Sequence, residues 1–245
     1  MATFVLVPGA WLGAWAWADV VPFLESAGHR ADPVTLPGLA ERADEAPPAG
    51  IDLSVHVDDL VGRIAGLDGP VILVVHSYAG ALGGMVADAL PDRLARVVYL
   101  ATQPVPDGMS LFDLIGPDAE QAMRAMAAAA GDPDRLPVVP DDMLDLYYPG
   151  HGLTGTLLDR FREHATPHPI ATQAQPVSRT GAGESIPRTL LWCTGDGPTP
   201  TPADSPSWTI RELPTGHWPM LTHPTLVAQE LLLTTDPRPT VDLRK

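Results

Sequence analysis

The chain has 245 residues, enough for one domain with a sizeable core and room for an insertion. Its formal charge of -15, with the only lysine at position 245, argues against a nucleic-acid partner or an anionic membrane surface. A single cysteine, Cys193, rules out an internal disulfide, and the eight histidines are scattered along the chain, so no metal is expected.

From the N-terminus, Phe4–Val7 is a short apolar strand with no basic stretch ahead of it, which is not the pattern of a signal peptide. Pro8-Gly9-Ala10 turns the chain, and Trp11 onward leads into a helix ending near Ala27, with Gly28 as its cap. His29–Leu36 reads as a second strand closed by Pro37-Gly38, and Leu39–Gly50 as surface loop. Leu53, Val57, Leu60, Val61 and Ile64 recur at helical spacing, predicting an amphipathic helix over Leu53–Leu67 with Ser54 at its start.

Val71–Val75 is a continuous apolar run, mostly β-branched, as in a strand of a parallel sheet covered on both faces. Ser77 follows at once, then the small-residue run Ala79–Val86, a helix able to pack closely and stop at Pro91. Strand, Ser, helix is the setting of a nucleophile elbow, although Val75 and Ala79 stand where the usual pattern has glycines. Ser77 reads equally as an ordinary helix N-cap.

Ala95–Leu100 is the next strand. Residues 107–183 carry helical pieces (Pro117–Ala130, Asp141–Tyr147, Thr156–His164) and no convincing strand, which predicts an inserted helical cap. Arg188–Thr194 and Trp208–Leu213 are two further strands, Thr225–Leu233 a closing helix, and Thr234–Lys245 a loose tail. The alternation gives an α/β fold with a mostly parallel doubly wound sheet of about six strands. Its core comprises residues 1–106 and 184–245. The 28 prolines fall mostly between elements, as stiff loops. No apolar run approaches the ~18 residues of a membrane span, and a cytoplasmic location is the expectation.

In such a sheet the reacting groups lie beyond the carboxyl ends of the strands. Ser77, Asp196 (in Thr194-Gly195-Asp196-Gly197) and His217 (in Thr215-Gly216-His217-Trp218) each follow a different strand on that edge, in the order expected of a nucleophile, an acid and a base. Asp196 and His217 also suit simple turns, and Asp107 is a substitute acid. His76 reads as packed, and Cys193 as a buried thiol. Trp11, Tyr78 and Trp218 flank the site as pocket or core. Met123, Met126, Leu144, Tyr147 and Tyr148 read as cap packing, with Tyr147 also a candidate for the pocket. His151, His164 and His168 read as surface or cap-loop residues.

Phe4-Val5-Leu6-Val7-Pro8-Gly9-Ala10-Trp11, Gly13-Ala14-Trp15, Leu36-Pro37-Gly38, His76-Ser77-Tyr78-Ala79-Gly80, Pro167-His168-Pro169 and Gly216-His217-Trp218-Pro219 together resemble the α/β-hydrolase superfamily, in its small esterase and hydroxynitrile-lyase-like branch, from Phe4 to about Leu233. The resemblance implies an α/β-hydrolase fold with Ser77 as nucleophile, His217 as base, Asp196 as acid, and the backbone N–H groups of Ala10 and Tyr78 as oxyanion donors. Pro8 stands where the branch usually has His, and Trp218 where its lyases carry a Lys, so cyanohydrin cleavage is not expected.

The resulting expectation is a serine hydrolase that acts on esters of small or medium apolar or aromatic compounds, without a cofactor. Its partner is a small-molecule substrate; a homodimer is left open. The alternatives are a non-hydrolytic enzyme of the same fold (a cyclase, lyase or decarboxylase in a biosynthetic pathway) and a ligand-binding protein.

Overall fold

The structure, a computed structural model, describes residues 1–46, 50–200 and 208–235. Six strands line up as one sheet: β1 (Thr3–Val7), β2 (Arg30–Pro33), β3 (Val71–His76), β4 (Leu94–Leu100), and beyond an insertion β7 (Arg188–Cys193) and β8 (Trp208–Leu213). Their order is β2-β1-β3-β4-β7-β8 and every pairing is parallel. The sheet therefore brings all six carboxyl ends to one edge, with β3 inside it.

Alternation along the strands divides the core into two layers. Phe4, Leu6, Ile72, Val74, Leu191 and Leu213 face one side, where α1 (Val21–Ser26) and the closing α10 (Pro224–Leu233) pack. Val5, Val7, Leu73, Val75 and Leu190 face the other, against α2 (Leu53–Ala65) and α3 (Gly80–Ala89). Small residues let α3 lie close to its neighbours: a Cβ on Gly80 would meet Gln103 O at 2.8 Å, and one on Gly83 the Tyr99 ring at 3.1 Å.

Several boundaries differ from the sequence reading. The first helix is broken into a 3-10 turn over Ala14–Trp17 and the short α1, which starts where Pro22 can enter a first turn. Gly28 does close α1: at φ +82°, it donates to Glu25 O while His29 donates to Leu24 O, the paired bonds of a Schellman end. The second strand is confined to Arg30–Pro33; beyond it Thr35 turns inward and accepts the Ala14 amide at 2.7 Å. Asp52, not Ser54, caps α2, accepting from Val55 N–H at 3.1 Å. Within the expected loop 39–50, Ala40–Arg42 forms a 3-10 turn and Leu39 is buried; residues 47–49 lie outside the described residues.

The insertion between β4 and β7 carries α4 (Leu111–Ile115), α5 (Pro117–Ala129), α6 (Asp141–Tyr147), α7 (Thr156–His164) and α8 (Ala171–Ala174). It also holds a ribbon the sequence did not suggest, β5 (Arg135–Leu136) antiparallel to β6 (His168–Pro169). A further short helix, α9 (Pro219–Thr222), precedes α10. Thr234 is buried and bonds back to Leu231 O at the end of α10; the remainder of the expected loose tail, 236–245, lies outside the described residues. Among the described residues no helix is long and apolar enough to cross a membrane.

Candidate active site

Ser77 follows β3 directly, with φ +52°, a left-handed conformation that costs a non-glycine residue about 1–2 kcal/mol. Trp11 after β1 (φ +68°) and Ala101 after β4 (φ +51°) share it, so three such residues lie along the same sheet edge. Val75 and Ala79 are fully buried on either side of the serine, so the turn forms without the two usual glycines.

Asp196 ends a 3-10 turn directly after β7, and His217 lies four residues beyond β8. Their loops are tied together. Gly195 N–H donates to Thr215 O at 3.0 Å, an approach so close that a Cβ on Gly195 would stand 2.9 Å from the same oxygen. The Trp192 indole N–H donates to Gly197 O at 2.9 Å. In this frame the Ser77 hydroxyl lies 2.8 Å from His217 Nε2, and His217 Nδ1 lies 2.8 Å from Asp196 Oδ2. The side chains of His217 and Asp196 are only 11% and 12% exposed, so water screens the pair weakly. With its Nδ1–H donated to the carboxylate, the imidazole presents a bare Nε2 to the hydroxyl and can take its proton. The substitute acid Asp107 lies elsewhere, accepting the Arg179 amide at 2.8 Å.

The loop Pro8–Ala10 passes directly over the serine: a Cβ on Gly9 would stand 2.8 Å from Ser77 Cβ. The Ala10 N–H makes no hydrogen bond among the described residues, and Tyr78 lies in the first turn after β3, where amides lack intrahelical partners. Two amides are thus available beside the hydroxyl.

The neighbouring side chains sort differently from their sequence reading. Tyr78 is buried: its hydroxyl donates to His56 Nδ1 at 2.8 Å while His56 Nε2 donates to Pro37 O at 2.9 Å. Burial pushes the His56 imidazole down to about 4, so it stays neutral. His168 is not a surface residue: it is fully buried, its ring 4.4 Å from that of Tyr78, with Nε2 donating to Thr172 Oγ1 at 2.8 Å. The cap ribbon is thereby seated on the residue after Ser77. His151 is buried as well, whereas His164 is exposed. Trp218 is core, 1% exposed, among Tyr148, Phe161 and His151. Cys193 is a buried thiol, raised to about 12 by that burial.

A cavity of about 660 Å³ opens between α5, the segment 136–140 and Tyr147–Tyr148, with Trp11 on its wall. Met123, Met126 and Tyr148, which read as cap packing, line it with Tyr147, a pocket candidate, and no charged side chain does. A shallower cleft of about 380 Å³ reaches His217 and Asp196 and shares the two tyrosines. Tyr148 is the site residue the sequence reading missed: its ring lies 4.7 Å from that of His217 and joins both spaces. Its adjacency to Tyr147 at the end of an amphipathic helix was the available signal, but nothing in the spacing shows which tyrosine faces the imidazole. Among the described residues no group of three or more His, Cys, Asp or Glu is placed to hold a metal ion.

The comparisons with known proteins agree with this architecture. The carbendazim hydrolyzing esterase of Nocardioides sp. (strain SG-4G) is 29% identical over 248 residues, covering 94% of this chain and 98% of that protein. Methylesterase 8 of Arabidopsis thaliana is 35% identical over 111 residues, covering 42% of this chain and 38% of that protein. The structure of an extracellular alpha/beta-hydrolase from a Paenibacillus species, reported to share structural and functional homology with tobacco Salicylic Acid Binding Protein 2, superposes with a TM-score of 0.80 at 20% identity, covering 96% of this chain and 99% of that one. A model of the alpha/beta hydrolase family matches residues 4–230, and with the six-stranded parallel sheet it establishes that the chain belongs to that family.

Proposed function

We propose that this alpha/beta hydrolase is a serine esterase that cleaves neutral carboxylic esters of small to medium apolar or aromatic acids. The observation that carries the reading is the continuous relay from Ser77 through His217 to Asp196, with both bonds at 2.8 Å. Relatives named as esterases support the reaction class. The uncharged cavity walled by Met123, Met126 and Tyr148 supports an apolar acyl group.

In this reading Ser77 Oγ attacks the ester carbonyl carbon as its proton passes to His217 Nε2. The carbonyl π electrons move onto oxygen, which the Ala10 and Tyr78 amides meet; losing one such donor typically costs ~2.7–4 kcal/mol of transition-state stabilisation. Collapse breaks the bond to the leaving alkoxide, which takes the proton from His217 and departs as the alcohol. Water then attacks the acyl-Ser77 ester with His217 again as base, releasing the acid and restoring the hydroxyl. Asp196 stays ionised and holds the imidazolium each time. No cofactor enters the scheme. Trp218 is buried after His217 and brings no cation to the site.

The test is p-nitrophenyl ester turnover with fluorophosphonate labelling. Wild type is expected to label at Ser77, and Ser77→Ala to lose turnover by on the order of 10⁶-fold while keeping its melting temperature. A folded wild type that neither labels nor turns over esters would reject hydrolysis and favour a non-hydrolytic member of the same fold.

A further inference from the structure

The residue before the serine is a fully buried imidazole in contact with two parts of the site. The Gly9 amide donates to His76 Nδ1 at 3.2 Å, and His76 Nε2 lies 2.8 Å from the carbonyl oxygen of His217. An amide only donates and a carbonyl only accepts, so one form of the ring satisfies both: neutral, with its proton on Nε2. Burial first, and the neighbouring His217 second, hold the imidazole well below its ordinary value, which favours that form. Protonation would set an Nδ1–H against the Gly9 N–H.

We propose that His76 is a positioning residue, whose single neutral imidazole fixes the oxyanion loop and the backbone of His217 in register with each other and with Ser77. The proposal rests on the serine esterase reading above. Its weight comes from how little else fastens the loop. Pro8 has no N–H to give. Among the described residues Pro8, Gly9 and Ala10 make one hydrogen bond to another element, that of Gly9 with His76. The amide offered to the oxyanion is the next one along, at Ala10. On its other side the ring holds His217 by the backbone, while Asp196 holds it by the side chain. His76 touches no substrate in this arrangement and acts through the groups it places.

Three replacements separate the two bonds. His76→Phe keeps a ring and loses both. His76→Asn carries an amide where Nδ1 lies and can keep the Gly9 bond; His76→Gln reaches to the Nε2 position and can keep the His217 bond. For p-nitrophenyl ester hydrolysis, His76→Phe is expected to lower kcat about 10²-fold with KM held within about twofold, because misplacement affects the transition state more than substrate binding. Asn and Gln should each recover part of that loss. Ring ¹⁵N NMR of the wild-type protein should show His76 protonated on Nε2 and bare on Nδ1. The proposal is overturned if folded His76→Phe keeps its kcat, if the effect falls on KM alone, if folded Asn and Gln variants do no better than Phe, or if the ring proton sits on Nδ1. Should the Phe variant not fold, the other two variants and the ring spectrum decide. Serine-dependent turnover of the wild type, judged against Ser77→Ala, tests the esterase reading separately, and the NMR result stands whichever way that goes.

Discussion

The carboxyl edge of the sheet and the cap above it are built under different constraints. Along the edge, the strands end in short loops that are cross-tied, Gly195 to Thr215 and Gly9 to His76. In the cap, helices of four to thirteen residues leave Leu114, Ile115, Leu146 and Tyr147 between 44% and 67% exposed, and the ribbon has two residues per strand. Ser77, His217 and Asp196 sit where position is over-determined. The residues that line the apolar cavity sit where side chains can change without disturbing the sheet.

The sharpest way to break that contrast is to disturb the edge by one methyl group. Gly9→Ala places a Cβ 2.8 Å from Ser77 Cβ and 2.9 Å from His76 Nδ1, at the buried end of β3 and the residue directly after it. The expected result is a 10²–10³-fold fall in kcat, about the loss of one oxyanion donor, with Ser77 still present. Unchanged steady-state kinetics would mean that the loop is freer than the packing allows.

The next test concerns the joint between the two regions. Asp88 on α3 accepts from Arg179 Nε at 2.8 Å and from the amides of Thr180, Gly181 and Gly183, where the chain leaves the cap. Burial would raise this carboxyl, but the Arg179 bonds and those amides outweigh it and hold it well below the usual carboxylate range. A depressed folded value contributes stability above the unfolded value of about 3.9 and loses it as pH falls toward the folded one. Asp88→Asn should therefore cost about 3 kcal/mol in urea melts at pH 7 and about 1 kcal/mol less near pH 3. Parallel pH dependence in the two proteins would remove Asp88 from that account.

The smallest effect belongs to the cap interior. Met126→Trp narrows the apolar cavity, and KM for bulky aromatic esters should rise about tenfold while acetate esters are spared. If both substrates suffer equally, the cavity is not where the acyl group goes.

The same contrast explains what was legible in the sequence. Val71–His76 and Arg188–Cys193 announce themselves by their apolar runs and Trp208–Leu213 by its β-forming residues, and the loops bearing Ser77, Asp196 and His217 follow from their ends. Local pattern reports burial on an element's own face and is silent on what distant loops bring to it. His168, between two prolines, reads as loop, yet it is buried because β6 lays it against Tyr78. Trp218 reads equally as pocket or core, and is core because the cap supplies Phe161 and Tyr148 around it. The break in the first helix was signalled by Pro22 but masked by the run of tryptophans before it.

Trp11, Ser77 and Ala101 hold the same unfavourable backbone twist at the tips of three neighbouring strands. Each gives up about 1–2 kcal/mol, so this short arc sacrifices more conformational ease than any comparable span described for the core. Glycine would relieve that twist at Ala101 and Ser77, whereas at Trp11 it would also remove a buried indole. At the middle tip the same change removes the presented hydroxyl, so the twist is retained where the molecule has its work to do.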